Sequence, residues 1–352
     1  MVSRGLRRLQ RLRATDPDRV HGFRLVGRVG SGGMGTVYAA TAEGVRGYVA
    51  LKVIHPEHSR DARFRAQFAR EARALAQVDS RCVARFVLAD VTAPQPWLAT
   101  EYVPGPTLRG HVTRHRALHG DTLRGFALGT AEGVRAVHTA GLIHRDLKPG
   151  NVILGAAGPK LVDFGVAYPR RRGDATRWLR LRRARRRLRE RRLAQPGDPV
   201  PVTLRPGPRD RLGTPGWISP EQYRGAEVGP ASDVYQWGCV VAFAASGRDP
   251  FGQGPPEELR RRVLEESPDL DRLVDPLTEL VPAAMSRAAE DRPTPSELVD
   301  ALLPPRPHPT PGYPAAVGAT LAQVWPGRPE RLPKPPREWP WTGSRHRAGR
   351  RS

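Results

Sequence analysis

Two apolar runs, Leu142-Ile143 and Val152-Ile153-Leu154, frame the stretch His144-Arg145-Asp146-Leu147-Lys148-Pro149-Gly150-Asn151. Pro149 and Gly150 interrupt helix and strand alike, so the carboxylate of Asp146, the ammonium of Lys148 and the amide of Asn151 fall on one loop. Composition makes this stretch the strongest constraint on the chain. Asn occurs only at 151 in the 352 residues, and Lys only at 52, 148, 160 and 334, while Ala, Gly, Pro and Arg dominate. In a sequence that avoids Asn and Lys, an ordinary surface turn accounts poorly for both in one loop. About a dozen residues on, the apolar strand Lys160-Leu161-Val162 ends in Asp163-Phe164-Gly165. Asn151 and Asp163 together offer oxygen ligands for Mg2+, a hard cation that is bound along with substrate phosphates.

Nearer the N-terminus, Phe23 to Val29 alternates as a strand does and runs into Gly30-Ser31-Gly32-Gly33-Met34-Gly35. A second strand follows, Thr36 to Ala40. Glycines let a backbone turn tightly and bring its N–H groups against phosphate oxygens without Cβ clashes. A dinucleotide-binding turn leads from strand to helix; this one leads from strand to strand, as a lid over a nucleotide does. Tyr48 to Ile54 is an apolar strand with one ammonium, Lys52, which as a half-buried cation calls for an anionic partner. It either snorkels to water from an edge strand or holds the α- and β-phosphates of a nucleotide. Phe64, Phe68, Ala72, Leu75 and Ala76 recur at helical spacing, and Glu71 on that helix is either a surface residue or a partner that fixes Lys52.

Taken together these segments resemble the protein kinase superfamily, specifically the eukaryotic-type (Hanks-type) Ser/Thr protein kinases of bacteria. The motifs run in order: G-x-G-x-x-G-x-V at Gly30 to Val37, V-A-L-K at Val49 to Lys52, H-R-D-L-K-P-G-N at His144 to Asn151 and D-F-G at Asp163 to Gly165. G-T-P-G-W-I-S-P-E at Gly213 to Glu221, D-V-Y-Q-W-G at Asp233 to Gly238 and D-R-P-T at Asp291 to Thr294 complete the set, so the resemblance covers about 21 to 303.

The resemblance implies an α+β, bilobal protein kinase fold. A small antiparallel β-sheet with one helix makes the N-lobe (21–103), a mainly α-helical C-lobe follows (104–303), and ATP with Mg2+ lies between them. It implies that Asp146 is the catalytic base, that Lys148 neutralises the transferring phosphoryl group, and that Lys52, paired with Glu71, contacts the phosphates. Asn151 and Asp163 would hold Mg2+. The cradle from Val29 to Gly35, that is Val29, Gly30, Ser31, Gly32, Gly33, Met34 and Gly35, would cover the nucleotide. Val37, Ala50 and Ile153 would enclose adenine, and Glu101, Tyr102 and Val103 would form the hinge beside a gatekeeper, Thr100. Thr214 would contact the catalytic loop and, with Lys148, indicates Ser/Thr acceptors on protein substrates. Glu221 with Arg292 and Asp233 would serve the structure of the C-lobe; Ser219 stands where the family usually has Ala.

The net charge of +23 is unevenly spread. Residues 1–19 carry +4, the stretch 170–192 carries +11 from 13 Arg, and 304–352 carries +7, leaving the body nearly neutral. The expected organisation is a basic N-terminal extension (1–20), the kinase domain with an Arg-rich activation-segment insertion (about 170–210), and a Pro/Arg-rich tail (304–352) read as mostly extended. Trp325, Trp339 and Trp341 in that tail are either docking residues or incidental. The insertion reads either as a basic amphipathic helix (Trp178, Leu181, Ala184, Leu188) or as a solvated surface loop. As a helix it would suit an acidic protein, a nucleic acid or an anionic membrane face. Thr203, more than Thr176, is the expected phosphorylation site opposite Arg145.

With 39% hydrophobic residues the chain can build a core, no run approaches the roughly 18 apolar residues of a membrane span, and two cysteines make neither a disulfide framework nor a zinc site. A cytoplasmic protein is expected. Three other readings compete with the enzyme: a pseudokinase or scaffold recruiting acidic partners, a small-molecule kinase, and a DNA-binding regulator. The intact set Lys52, Asp146, Asn151 and Asp163 argues for catalysis.

Overall fold

The computed structural model describes residues 9–42, 47–163, 214–226, 228–305 and 312–327. These fall into two units, one within 9–61 and 86–102, the other within 62–85 and 103–327.

The first unit is an antiparallel sheet of six strands: β1 (Arg19–Val20), β2 (Phe23–Ser31), β3 (Gly35–Thr41), β4 (Val49–Ile54), β5 (Phe86–Asp90) and β6 (Trp97–Glu101), in the order β1-β2-β3-β4-β6-β5. A single turn of helix, α1 (Pro56–Ser59), follows β4. Alternation along the strands sorts residues onto two faces. One face gathers Phe23, Leu25, Tyr38, Ala40, Val49, Leu51, Val53, Trp97 and Ala99 into an apolar core. The other carries Val37, Ala50 and Lys52, all half-buried.

The N-terminal extension is not a separate basic appendage where it is described. Gln10 and Arg28 exchange backbone hydrogen bonds of 2.9 Å, Leu12 packs against the sheet core, and the Tyr38 hydroxyl donates to the Asp16 carboxylate at 2.9 Å. The buried Arg28, on β2, has its Nε 3.4 Å from Asp16. Asp16 offsets the surplus of arginines there, so 9–20 folds onto β1–β3 rather than leaving it.

The second unit is mainly helical. In chain order it holds α2 (Ala62–Leu75), α3 (Leu108–Arg114), α4 (Gly120–Thr139), the hairpin of β7 (Val152–Gly155) and β8 (Gly158–Leu161), then α5 (Pro220–Tyr223), α6 (Pro230–Ser246), α7 (Pro256–Glu265), α8 (Leu277–Ala284), α9 (Pro295–Leu302) and α10 (Tyr313–Val324). The helix expected in the N-terminal lobe, α2, groups with this unit. Its Phe64, Phe68, Ala72 and Leu75 are buried, as their spacing predicts, and Glu71 is buried with them, while Ala76 falls past the helix end and is exposed.

α6 is apolar almost throughout and is buried from Ser232 to Ala245, so it forms the centre of the unit. It ends at Gly247, whose φ of 78 is the left-handed cap that glycine adopts without strain. α4 crosses it, with Gly129 and Gly133 one turn apart facing the hairpin. A Cβ at Gly129 would lie 2.6 Å from Pro159, and one at Gly133 would lie 2.8 Å from Leu161. Each glycine costs a helix interior about 1 kcal/mol relative to Ala; close approach to the hairpin is what it permits here.

The tail differs from the extended chain expected of it. Residues 313–324 form α10, with Val317 and Leu321 buried against α4. Proline does not prevent this, because Pro314 occupies the first turn, where its missing N–H is not needed.

Candidate active site

In the first unit the glycine-rich turn joins β2 to β3 and is closed by Gly32 N–H donating to Gly35 O at 3.0 Å. Its carbonyls are held from the β4–α1 corner. His55 N–H donates to Met34 O at 2.9 Å, and His58 Nε2 lies 3.0 Å from Gly33 O. A carbonyl only accepts, so His58 carries its proton on Nε2. The glycines differ in what they do. A Cβ at Gly35 would lie 2.4 Å from Val53 O, so that glycine is required by packing of β3 on β4. Cβ atoms at Gly30, Gly32 and Gly33 would meet nothing within 4 Å, which leaves that side of the turn open to a ligand. Ser31, Thr36 and His55 form a chain of side-chain contacts at 3.1 and 3.2 Å beside it, with Arg28 Nη2 donating to Thr36 at 3.2 Å. Val29 is exposed.

Lys52 sits in mid-sheet, opposite Val37 on β3 and Leu98 on β6. Ala50 lies two residues before it and opposite Thr100, so Val37, Ala50, Lys52 and Thr100 share the face away from the core. Lys52 is therefore not an edge-strand residue. Glu101 ends β6 opposite Val49, and Tyr102 N–H donates back to Tyr48 O at 3.4 Å.

In the second unit the loop 144–151 is built from below by α6. Asp233, completely buried, accepts His144 N–H at 2.7 Å and Arg145 N–H at 2.8 Å, and His138 Nε2 lies 2.7 Å from the same carboxylate. One turn on, Gln236 Oε1 accepts Leu147 N–H at 2.9 Å and its amide donates to Arg145 O at 3.2 Å. Burial pushes the Asp233 carboxyl up, but the His138 hydrogen bond and charge outweigh it and hold the group below the usual aspartate range. Burial lowers the His144 imidazole against the pull of Asp233, Asp146 and Asp163, so it stays neutral. The loop uses Arg145 at φ 67, a left-handed conformation uncommon for a residue with a side chain.

On this frame the structure brings together four of the expected residues, Asp146, Lys148, Asn151 and Thr214. Lys148 Nζ donates to Asp146 Oδ2 at 2.7 Å and to Thr214 Oγ1 at 2.8 Å. Asn151 Nδ2 donates to Asp146 O at 2.8 Å and is 3.2 Å from its Oδ2. Asp146 and Lys148 are each 28% exposed, accessible but not loosely solvated. Val162 N–H donates to Asn151 O at 3.0 Å, which sets Asp163 one residue beyond, exposed and at φ 55. Asp146 engages the Asn151 nitrogen, which turns its Oδ1, an acceptor, away from that carboxylate. Asn151 and Asp163 both offer oxygen, the ligand type that Mg2+ takes alongside phosphates. Among the described residues no cluster of three His, Cys, Asp or Glu offers a self-sufficient metal site.

Ile153 lies on β7 opposite Lys160 and forms a bridge with Thr107. Val103 is buried, near Gly155. Glu71 accepts from Arg145 Nη1 at 3.0 Å and from Gln67. Glu221 and Arg292 form the expected buried pair, bidentate at 2.8 Å on each oxygen, with Ser232 donating to the same carboxylate at 2.7 Å.

Gln236 and His138 were missed as supports of the loop. The signal for Gln236 was present: it stands three residues after Asp233, on the same helical face. Thr176, Thr203 and the Arg-rich insertion lie outside the described residues. Both cysteines are buried, and burial pushes their thiols up to about 12, so neither is a nucleophile here.

Comparison with known proteins places these features. A model of the protein kinase domain matches residues 23–303. The probable serine/threonine-protein kinase PkwA of Thermomonospora curvata is 41% identical over 84% of this chain, which covers 35% of that protein. The serine/threonine-protein kinase AfsK of Streptomyces coelicolor is 37% identical over 82% of the chain, covering 32% of its own length. The chain thus spans about a third of the length of these relatives. The crystal structure of the Mycobacterium tuberculosis PknI kinase domain superposes with a TM-score of 0.53 at 23% identity, covering 81% of this chain and 96% of that one.

Proposed function

The chain belongs to the protein kinase family, and from that premise we propose that it is a bacterial serine/threonine protein kinase, transferring the γ-phosphate of ATP to Ser or Thr hydroxyls of protein substrates. One observation carries the reading: a single ammonium, Lys148 Nζ, touches both the Asp146 carboxylate and the Thr214 hydroxyl, at 2.7 and 2.8 Å. A partly exposed carboxylate beside a fixed cation is what an incoming hydroxyl requires.

Asp146 orients that hydroxyl and takes its proton as the oxygen bonds to the γ-phosphorus; the bond from phosphorus to the bridging oxygen breaks and ADP leaves. Lys148 meets negative charge on the transferring group. Phosphoryl transfer passes through a loose transition state, so these residues supply position and charge rather than covalent chemistry. The amides of Gly30 to Gly35 and the ammonium of Lys52 suit the phosphates, Val37, Ala50 and Ile153 suit adenine, and Glu101, Tyr102 and Val103 suit the edge of the base. Asn151 Oδ1 and Asp163 would hold Mg2+, which when bound neutralises phosphate charge. Thr214, paired with Lys148, supports an aliphatic hydroxyl as acceptor. ATP and the protein substrates of such an enzyme are cytoplasmic, and the same proposal locates the kinase there.

Transfer of labelled γ-phosphate to a generic basic protein tests the reading. Activity in the wild type that is lost in Asp146→Asn supports it. A wild type that binds Mg-ATP yet transfers nothing would instead fit a scaffold.

A further inference from the structure

α10 lies beyond the matched domain, which ends at 303, yet its contacts are those of a built part. Glycine occurs at several of its close approaches. A Cβ at Gly125 of α4 would lie 2.8 Å from Val324. One at Gly318 would lie 2.8 Å from the Arg81 guanidinium, and one at Gly327 would lie 2.0 Å from Ala156 O. Val317 and Leu321 are fully buried, and the Tyr313 hydroxyl donates to Asp300 at 2.8 Å while the Arg135 guanidinium covers its ring at 4.6 Å. The helix ends in Trp325, whose indole N–H donates to Gly155 O at 2.8 Å.

Gly155 closes the hairpin of β7 and β8, and Leu321 packs against Gly158 on its other side. From this hairpin Ile153 and, two residues past its end, Asp163 project. Its other flank is held by Leu154 N–H donating to Pro106 O at 2.8 Å.

We propose that 312–327 is an integral brace of the catalytic domain and that Trp325 is a positioning residue: it fixes the hairpin turn, and through it the residues that receive the nucleotide. The nucleotide arm of this inference rests on the kinase reading; the hairpin arm does not. A hydrogen bond of this kind is worth up to about a tenfold change in an equilibrium constant.

Trp325→Phe removes the N–H and keeps the ring. In that variant of the 352-residue chain, amide exchange across 152–161 should quicken by about threefold to tenfold, with the Arg292 and Asp233 regions unchanged. Titration calorimetry should show Mg-ATP binding weakened by a similar factor. The KM for ATP should rise while the KM for the protein substrate stays put. Trp325→Ala should go further in the same direction. Unchanged exchange in 152–161 in both variants overturns the brace. Faster exchange with unaltered Mg-ATP affinity overturns the positioning role. A wild type that binds no Mg-ATP overturns the kinase reading instead and leaves the exchange result to decide the brace.

Discussion

Arg145 Nη1 lies 3.0 Å from Glu71 Oε1, with both side chains only 7% exposed. The pair joins α2 to the loop that carries Asp146, over 74 residues of chain. Gln67, one turn before Glu71, donates to the same oxygen. Breaking a buried pair from one side strands a charge and costs about 3–5 kcal/mol, whereas removing both charges is far less harmful. Arg145→Met should therefore destabilise the fold strongly, and Glu71→Gln/Arg145→Met should recover at least about 1 kcal/mol relative to the sum of the single variants. Denaturant unfolding of the four proteins measures the coupling, and strict additivity would mean that the contact carries no energy.

Loss of charge at the proposed catalytic residues should behave in the opposite way. Asp146 and Lys148 are partly exposed, and a pair of that kind contributes under about 1 kcal/mol to stability. Asp146→Asn and Lys148→Ala should each lower kcat by a factor on the order of 100 to 1,000, with the melting temperature nearly unchanged. Phosphate transfer and thermal unfolding on the same preparations check both halves.

The Glu221–Arg292 pair predicts a pH dependence. Burial pushes the Glu221 carboxyl up, but the hydrogen bonds and charge of Arg292 and the hydrogen bond from Ser232 prevail, so its folded value lies below the ordinary 4.5. The unfolded chain then binds the proton first. The stabilisation is complete above 4.5 and is lost as pH falls through the lowered folded value. The stability difference between wild type and Glu221→Gln should be flat from neutrality to about pH 5 and shrink below it. A difference that grows on acidification would contradict the assignment.

The glycines of α4 give a test in which local and tertiary effects have opposite signs. Gly129→Ala would add about 1 kcal/mol of helix propensity, yet its Cβ would sit 2.6 Å from the Pro159 ring, which cannot swing aside. The variant should be destabilised by about 1–3 kcal/mol, the usual cost of overpacking. Thermal unfolding decides the sign, and a gain in stability would show that the hairpin can retreat.

Much of this fold was legible where the signal is local. Alternation in Phe23 to Val29 and the run of glycines marked the β2–β3 turn, and Phe64, Phe68, Ala72 and Leu75, though not Ala76, marked the buried face of α2. Asp146, Lys148 and Asn151 were legible as a cluster because six positions of chain interrupted by Pro149 and Gly150 can hold little else than one loop. The support from α6 was not, since Asp233 and Gln236 reach that loop across 88 to 91 residues and leave no periodic trace. The tail misled through averaging. Its prolines and arginines, counted over 304–352, concealed Tyr313–Val324, which carries no charged residue at all. Asp16 likewise was counted as a charge and not as the partner of Tyr38 and Arg28.

The peptide groups of His144, Arg145 and Leu147 are tethered to side chains of α6, a helix buried from Ser232 through Ala245. The proposed catalytic loop thus hangs from a deeply buried helix, not from a surface element that can fray alone. On heating, turnover should disappear within the same cooperative transition as the helical signal, with no interval in which the protein stays folded but idle.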